Sequence, residues 1–313
     1  MADWKILLTD GLEENGKQIL TQESQCDDRK GISAEELLEV IAEYDAVIVR
    51  GRTKITPAVL EKASKLKVVG RSGVGVDNID LQAAKQKNIV VVNAPVATTR
   101  AVAEHAIALI LSLAREIPKA DATMKNGEWI KKDLVGIELE GKTLGVIGFG
   151  RIGSTIGRMA KGLGMRVLGC CLTSPPEVII ERGGELASFK ELLAVSDIIS
   201  VNTPLTDSTR NMLNEEAFSQ MKDGVRIVIT ARGGIVDEDA LLNALSSGKV
   251  AGAALDVFIN EPPGLTDLVK HPNVIVTPHI GGQTIEAQMR AADDISTEVL
   301  AALKGDSLRW RVA

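Results

Sequence analysis

The sequence predicts an α/β protein whose larger part is a doubly wound parallel sheet, and three observations carry that prediction. Apolar, β-rich runs alternate with helical patterns along the chain, as strands joined by crossover helices do. Residues 142–171 read as a strand, a glycine turn, a helix and a second strand, and the turn, Gly148-Phe149-Gly150-Arg151-Ile152-Gly153, has the spacing of a dinucleotide-binding loop. The second half then repeats strand-like runs at crossover spacing, so ligands are expected at their carboxyl ends.

Taken in order, strands are expected at 6–8, 46–49, 67–69 and 89–92, with helices at 34–42, 57–63 and 81–87 between them. Asn93-Ala94-Pro95 closes this set, and an alanine-rich helix over 98–115 opens the next, which places a hinge there. Residues 121–140 are polar and read as a connecting excursion. Further strands are expected at 144–147, 167–169, 198–201, 227–230, 253–257 and 274–277. The last stretch, 284–303, is helical with apolar positions at Ile285, Met289, Ile295 and Val299, and is expected to return to the first domain. The predicted organisation is a discontinuous domain of 1–96 and 285–313, and a dinucleotide-binding domain of 97–284.

A chain of 313 residues exceeds the size of a single core, which supports two domains. Hydrophobic residues make up 45% and charged residues 25%, an ordinary globular mixture, and the net charge of -6 argues against a nucleic-acid surface. The start lacks the pattern of a secretion signal, and the most apolar stretch, 101–114, contains Glu104 and His105 and is too short to cross a bilayer. Neither export nor a membrane is implied. Cys26, Cys170 and Cys171 have no metal-ligand spacing and form no disulfide framework, which suits the cytoplasm. Adjacent on a strand, Cys170 and Cys171 face opposite sides and are expected to pack.

Each glycine of the turn has a reason. Gly148 permits the tight bend, Gly150 lets the backbone approach a pyrophosphate, and Gly153 lets the helix pack against its strand. Proton transfer falls to one of three histidines. His105 lies in an apolar helix and His271 in a turn, whereas His279 follows a strand and precedes Gly281-Gly282, where a ligand has room. Arg232, in Thr230-Ala231-Arg232-Gly233, and Glu261 also follow strands of the same sheet. A guanidinium grips a carboxylate in a fork, and a carboxylate beside histidine fixes its ring. Arg232, Glu261 and His279 are therefore the expected catalytic set. In the first domain Arg71-Ser72-Gly73-Val74-Gly75 follows a strand and forms either an anion nest, holding a substrate carboxylate across a cleft from His279, or a plain turn. Arg50, Arg52 and Lys54 follow the preceding strand and offer either a second anionic contact or ordinary solvated loop charges.

Together these motifs resemble the D-isomer-specific 2-hydroxyacid dehydrogenase family, and within it the phosphoglycerate dehydrogenases. The resemblance rests on Val49-Arg50 with Thr53-Lys54, Gly70 to Asp80, Gly148 to Gly153, Thr230 to Asp237, Gly252 to Pro263 and Pro278 to Thr284. It implies a Rossmann nucleotide-binding domain with a smaller flavodoxin-like substrate domain, and NAD-dependent hydride exchange between a D-2-hydroxy acid and its 2-keto acid without a metal. By resemblance, Arg232 holds the substrate, His279 is the acid and base, and Glu261 supports it. Val74, Arg151, Ile152, Thr203, Thr230, Ala231, Asp256, Gly281 and Gly282 join the cofactor site, Asp256 at the nicotinamide carboxamide.

Arg50 and Arg71 tilt the substrate towards a phosphorylated acid, 3-phosphoglycerate of serine biosynthesis. Reduction of glyoxylate or hydroxypyruvate is the near alternative, and a nucleotide-sensing corepressor-like binder is the alternative of another class. Two departures stand out. Cys171 replaces the acidic residue that would bind the adenosine ribose, and Cys171-Leu172-Thr173-Ser174 offers neither acid nor arginine, so NAD with a relaxed preference over NADP is expected. Ile229 replaces an asparagine, with an effect expected to stay local. The chain stops soon after the catalytic region, so serine feedback through an appended domain is not expected. A homodimer is implied, with residues 98–140 as its interface.

Overall fold

The computed structural model describes residues 4–171 and 175–313, and its chain divides into two compact units. One gathers the chain up to Thr98 together with Gln283–Ala313; the other is Thr99–Gly282.

The first unit holds a parallel sheet of β1 (Trp4–Leu8), β2 (Ser24–Asp28), β3 (Ala46–Val49), β4 (Val68–Arg71) and β5 (Val90–Asn93), in the order β2-β1-β3-β4-β5. That order is the flavodoxin-like one. β3 is buried along its whole length, as a central parallel strand covered on both faces must be. β2 is the difference from expectation: its sequence, Ser-Gln-Cys-Asp-Asp, has no apolar run because it is an edge strand, half open to water. Helix Ile285–Lys304 packs on this sheet through Ala292, Ile295 and Val299, against Ile6, Leu8 and Ile48. Thr284 caps it by accepting the Ala287 amide, and Gly305 ends it in the left-handed conformation.

The second unit holds seven parallel strands: β6 (Thr143–Ile147), β7 (Arg166–Cys170), β8 (Glu185–Leu186), β9 (Ile198–Val201), β10 (Val225–Ile229), β11 (Val250–Leu255) and β12 (Val274–Val276). Their order is β12-β11-β10-β9-β6-β7-β8. Direction of winding reverses at β6, which makes the crevice beside β9 the switch point where doubly wound sheets bind ligands. Two apolar layers cover the faces: helix Thr99–Arg115 with Leu109 and Ile110 belongs to one, and Leu192, Phe218 and Leu241 to the other. β8, only two residues and exposed, was not foreseen. Ile229 is buried and pairs between Val201 and Leu255, so the substitution at this position is a core one. Residues 121–140 are not wholly irregular, since helix Ile117–Lys125 enters them. No helix among the described residues is long and apolar enough to cross a membrane.

Candidate active site

Because all seven strands of the second unit run one way, the loops after β6, β7, β9, β10, β11 and β12 open at one edge of the sheet. The glycine turn follows β6. Gly148 has φ of 88°, and a Cβ there would lie 2.7 Å from the backbone of Asn202 and Thr203, so only glycine permits this turn. Its amide donates to the Cys170 carbonyl at 2.8 Å, and the Asn202 amide donates to Ile147 at 2.7 Å, locking the ends of β7 and β9 to the turn. Gly150 caps helix Arg151–Gly162, and a Cβ there would meet nothing within 4 Å. Open space therefore lies at the start of that helix, where the positive end of the helix dipole stabilises a phosphate.

Two buried polar atoms in the same crevice lack a protein partner: Asn202 Oδ1 and Thr230 Oγ1, just past the paired ends of neighbouring β9 and β10. An open cradle and unmet buried polar atoms fit a dinucleotide. Asn202 was missed in the sequence, where Thr203 was the expected contact; Thr203 is buried beside it. Cys171 follows β7 and is half-buried, while Leu172, Thr173 and Ser174 lie outside the described residues.

The loops after β10, β11 and β12 meet for a steric reason. A Cβ on Gly233 would overlap the backbone of Phe258 and Ile259, so the Arg232 loop lies directly on the Glu261 loop. Glu261 accepts the Phe258 amide at 3.2 Å on Oε1 and bonds His279 Nδ1 at 2.8 Å on Oε2. Burial pushes the Glu261 carboxyl up. The hydrogen bond and charge of His279, the Phe258 amide and the Arg232 guanidinium more than offset it, and the group rests below its ordinary 4.5. Arg232 lies on the loop that Gly233 seats against the backbone of Phe258 and Ile259. Its Nη1 donates to the Ala231 carbonyl at 2.7 Å.

His279 sits in the left-handed region, φ 53°, which is strained for a residue with a side chain. Asp256 over-determines it. This carboxylate is 1% exposed and accepts from Thr277 Oγ1 at 2.6 Å and from the Ile280 and Gly281 amides at 2.8 Å each. Burial pushes Asp256 up, but hydrogen bonds from His105, Thr277, Ile280 and Gly281 bring it below 3.8. Asp256, expected at the cofactor, also holds the turn carrying His279. His105 bonds Thr277 at 3.1 Å, the satisfied histidine its helix suggested, and His271 accepts the Asn273 amide within its own turn.

The first unit places its anionic candidates less uniformly. Arg50 bonds Gln288 through its guanidinium. Arg71 folds over its own loop and donates to the Ser72 carbonyl at 2.9 Å. The expected nest at Ser72-Gly73-Val74-Gly75 is corrected at Ser72, whose amide is already given to Val49 at 2.9 Å. The Gly73 and Val74 carbonyls accept from the Ala94 amide and Asn93 Nδ2, bonds that do not involve the amides of the expected nest. Arg52 is spent on the Ile32 and Thr9 carbonyls and on Asp10, so it buttresses loops instead of awaiting an anion. Among the described residues no group of three or more His, Cys, Asp or Glu could hold a metal ion.

Residues 107–281 match the family model for the D-isomer specific 2-hydroxyacid dehydrogenase, NAD binding domain. The chain is 48% identical over 304 residues to D-3-phosphoglycerate dehydrogenase 2, chloroplastic, of Arabidopsis thaliana, covering 96% of this chain and 49% of that protein. It is 47% identical over 303 residues to D-3-phosphoglycerate dehydrogenase of Methanocaldococcus jannaschii, covering 96% and 58%. The chain thus spans about half the length of the curated relatives it matches. A glyoxylate reductase from Paecilomyes thermophila superposes with a TM-score of 0.90 at 33% identity, covering 100% of this chain and 99% of that one.

Proposed function

Because this chain belongs to the D-isomer specific 2-hydroxyacid dehydrogenase family, we propose that it interconverts a D-2-hydroxy acid and its 2-keto acid, with 3-phosphoglycerate, at the entry to serine biosynthesis, as the substrate. The observation that carries the chemistry is the 2.8 Å bond between His279 Nδ1 and Glu261 Oε2. A carboxylate accepts, so Nδ1 carries the hydrogen and Nε2 presents its lone pair. In oxidation Nε2 takes the hydroxyl proton as the C2–H bond breaks; in reduction it returns that proton to the oxygen. When bound, the nicotinamide ring supplies the acceptor for the hydride from C2. Arg232 holds the substrate carboxylate in a two-pronged grip and polarises the adjacent oxygen. The helix Arg151–Gly162 and the Asn202 and Thr230 polar atoms serve the dinucleotide. The chain works as a cytoplasmic homodimer, residues 98–140 forming its interface.

Likeness to a glyoxylate reductase supports a second reading, in which the same chemistry serves a smaller keto acid. Arg50→Ala and Arg71→Ala separate the two. With a phosphorylated substrate each change is expected to lower kcat/KM by about tenfold or more, the worth of a lost charge-assisted contact, while glyoxylate reduction stays within about twofold. Equal losses on both substrates would favour the smaller acid.

A further inference from the structure

We propose that Arg182 admits a 2′-phosphate at the adenosine end of the dinucleotide site, so that the chain takes NADP as well as NAD; this rests on the dinucleotide reading above. At this end of a doubly wound sheet the residue closing the second strand decides the cofactor. An acid there bonds the ribose 2′-hydroxyl and repels a phosphate, while a nearby arginine accepts one. Here the second strand is β7, and the position after it is Cys171, neutral and half-buried. The repelling charge is gone.

The structure also brings a cation to the place, from a distance in sequence. Arg182 ends the short helix Glu177–Glu181, eleven residues beyond Cys171, and its Nη1 donates to the Phe149 carbonyl at 3.0 Å. Phe149 lies between the two glycines of the turn, and the Gly148 amide beside it donates to the Cys170 carbonyl. Two hydrogen bonds therefore connect the guanidinium to the strand end that Cys171 closes. The anchor is firm, because the Phe149 ring is 1% exposed and packs against Gly157, Gly169, Ile179 and Gly184. Arg182 itself is exposed, and this is its one side-chain bond among the described residues. Its other N–H donors are left for solvent or a phosphate, to which a guanidinium fork is matched.

The test is calorimetric titration of the whole chain with NAD+, NADP+ and adenosine 2′,5′-bisphosphate, without turnover. The parent is expected to bind NADP+ within about tenfold of NAD+. Arg182→Ala is expected to weaken NADP+ and the bisphosphate by about tenfold or more and NAD+ by less than about twofold, with Arg182→Lys in between. Cys171→Asp, which leaves Arg182 in place, is expected to invert the order by weakening NADP+ and strengthening NAD+. Equal weakening of both cofactors by Arg182→Ala would make Arg182 only a strut for the turn and would overturn the proposal. So would a parent that binds NAD+ but not NADP+. A parent that binds neither would overturn the dinucleotide reading as well.

Discussion

At the scale of the residue, the site turns on an imidazole held where its backbone carries about 1–3 kcal/mol of strain. His279 keeps a φ of 53° because its neighbours Thr277, Ile280 and Gly281 are all bonded to Asp256. Such a restraint fixes the base of the ring, and Glu261 fixes its tautomer. His279→Ala is therefore expected to lower kcat by roughly 10²–10⁴ on a panel of 2-hydroxy acids with little change in cofactor affinity. Glu261→Gln should cost less, on the order of 10–100-fold, as carboxylates orienting an imidazole do elsewhere. Since the Glu261 carboxyl is held below the ordinary glutamate range by His279 and the Phe258 amide, the parent should lose the pairing at lower pH than an ordinary glutamate would; the Gln variant should lack that acid limb. A His279→Ala protein as active as its parent would end the assignment.

At the scale of the element, strand ends do the positioning, and Asp256 is the clearest case. It ties the end of β11 to the turn after β12 with three donors pointing at one buried carboxylate. Asp256→Asn replaces one acceptor oxygen by a donor that must face those donors, at a cost of about 1–3 kcal/mol by urea unfolding. The pH dependence follows from a folded value below 3.8: the contribution is whole above that pH and fades as acid protonates the folded carboxyl. Parent stability should fall towards that range more steeply than the variant's, and parallel curves would show Asp256 to be unimportant. Much of this layout was legible. A buried strand such as β3 announces itself by an unbroken apolar run, and the glycines after β6 by their spacing. Edge strands β2 and β8 did not, because half-exposed or two-residue strands carry no apolar signal. Arg232, Glu261 and His279 were readable as strand-end residues. The orphaned Asn202 oxygen, the diversion of Arg52 and the reach of Arg182 to Phe149 were not, since each depends on a contact between segments apart in the chain.

At the scale of the whole molecule, the unexplained feature is apolar surface between Ile117 and Val135. Helix Ile117–Lys125 buries none of its residues, although Ile117 and Met124 are more than half exposed. Trp129 and Val135 that follow are each 77% exposed. Single exposed apolar side chains are ordinary, but four within one short segment are what a chain retains when another surface covers them. The same segment leads out of helix Thr99–Arg115, whose Leu109, Ile110 and Leu113 are buried in the nucleotide unit, so a partner gripping it would hold a rigid element. A second copy is the economical occupant: a two-fold pairing doubles each contact, and a specific interface needs only about 800 Å² from each subunit. Sedimentation velocity at micromolar concentration should therefore show twice the 33.3 kDa chain mass. Trp129→Glu should shift the population to monomer and make the melting temperature independent of protein concentration, because dimerisation stabilises by mass action. A parent that sediments as a monomer across that range would leave this surface to some other partner and remove the dimer.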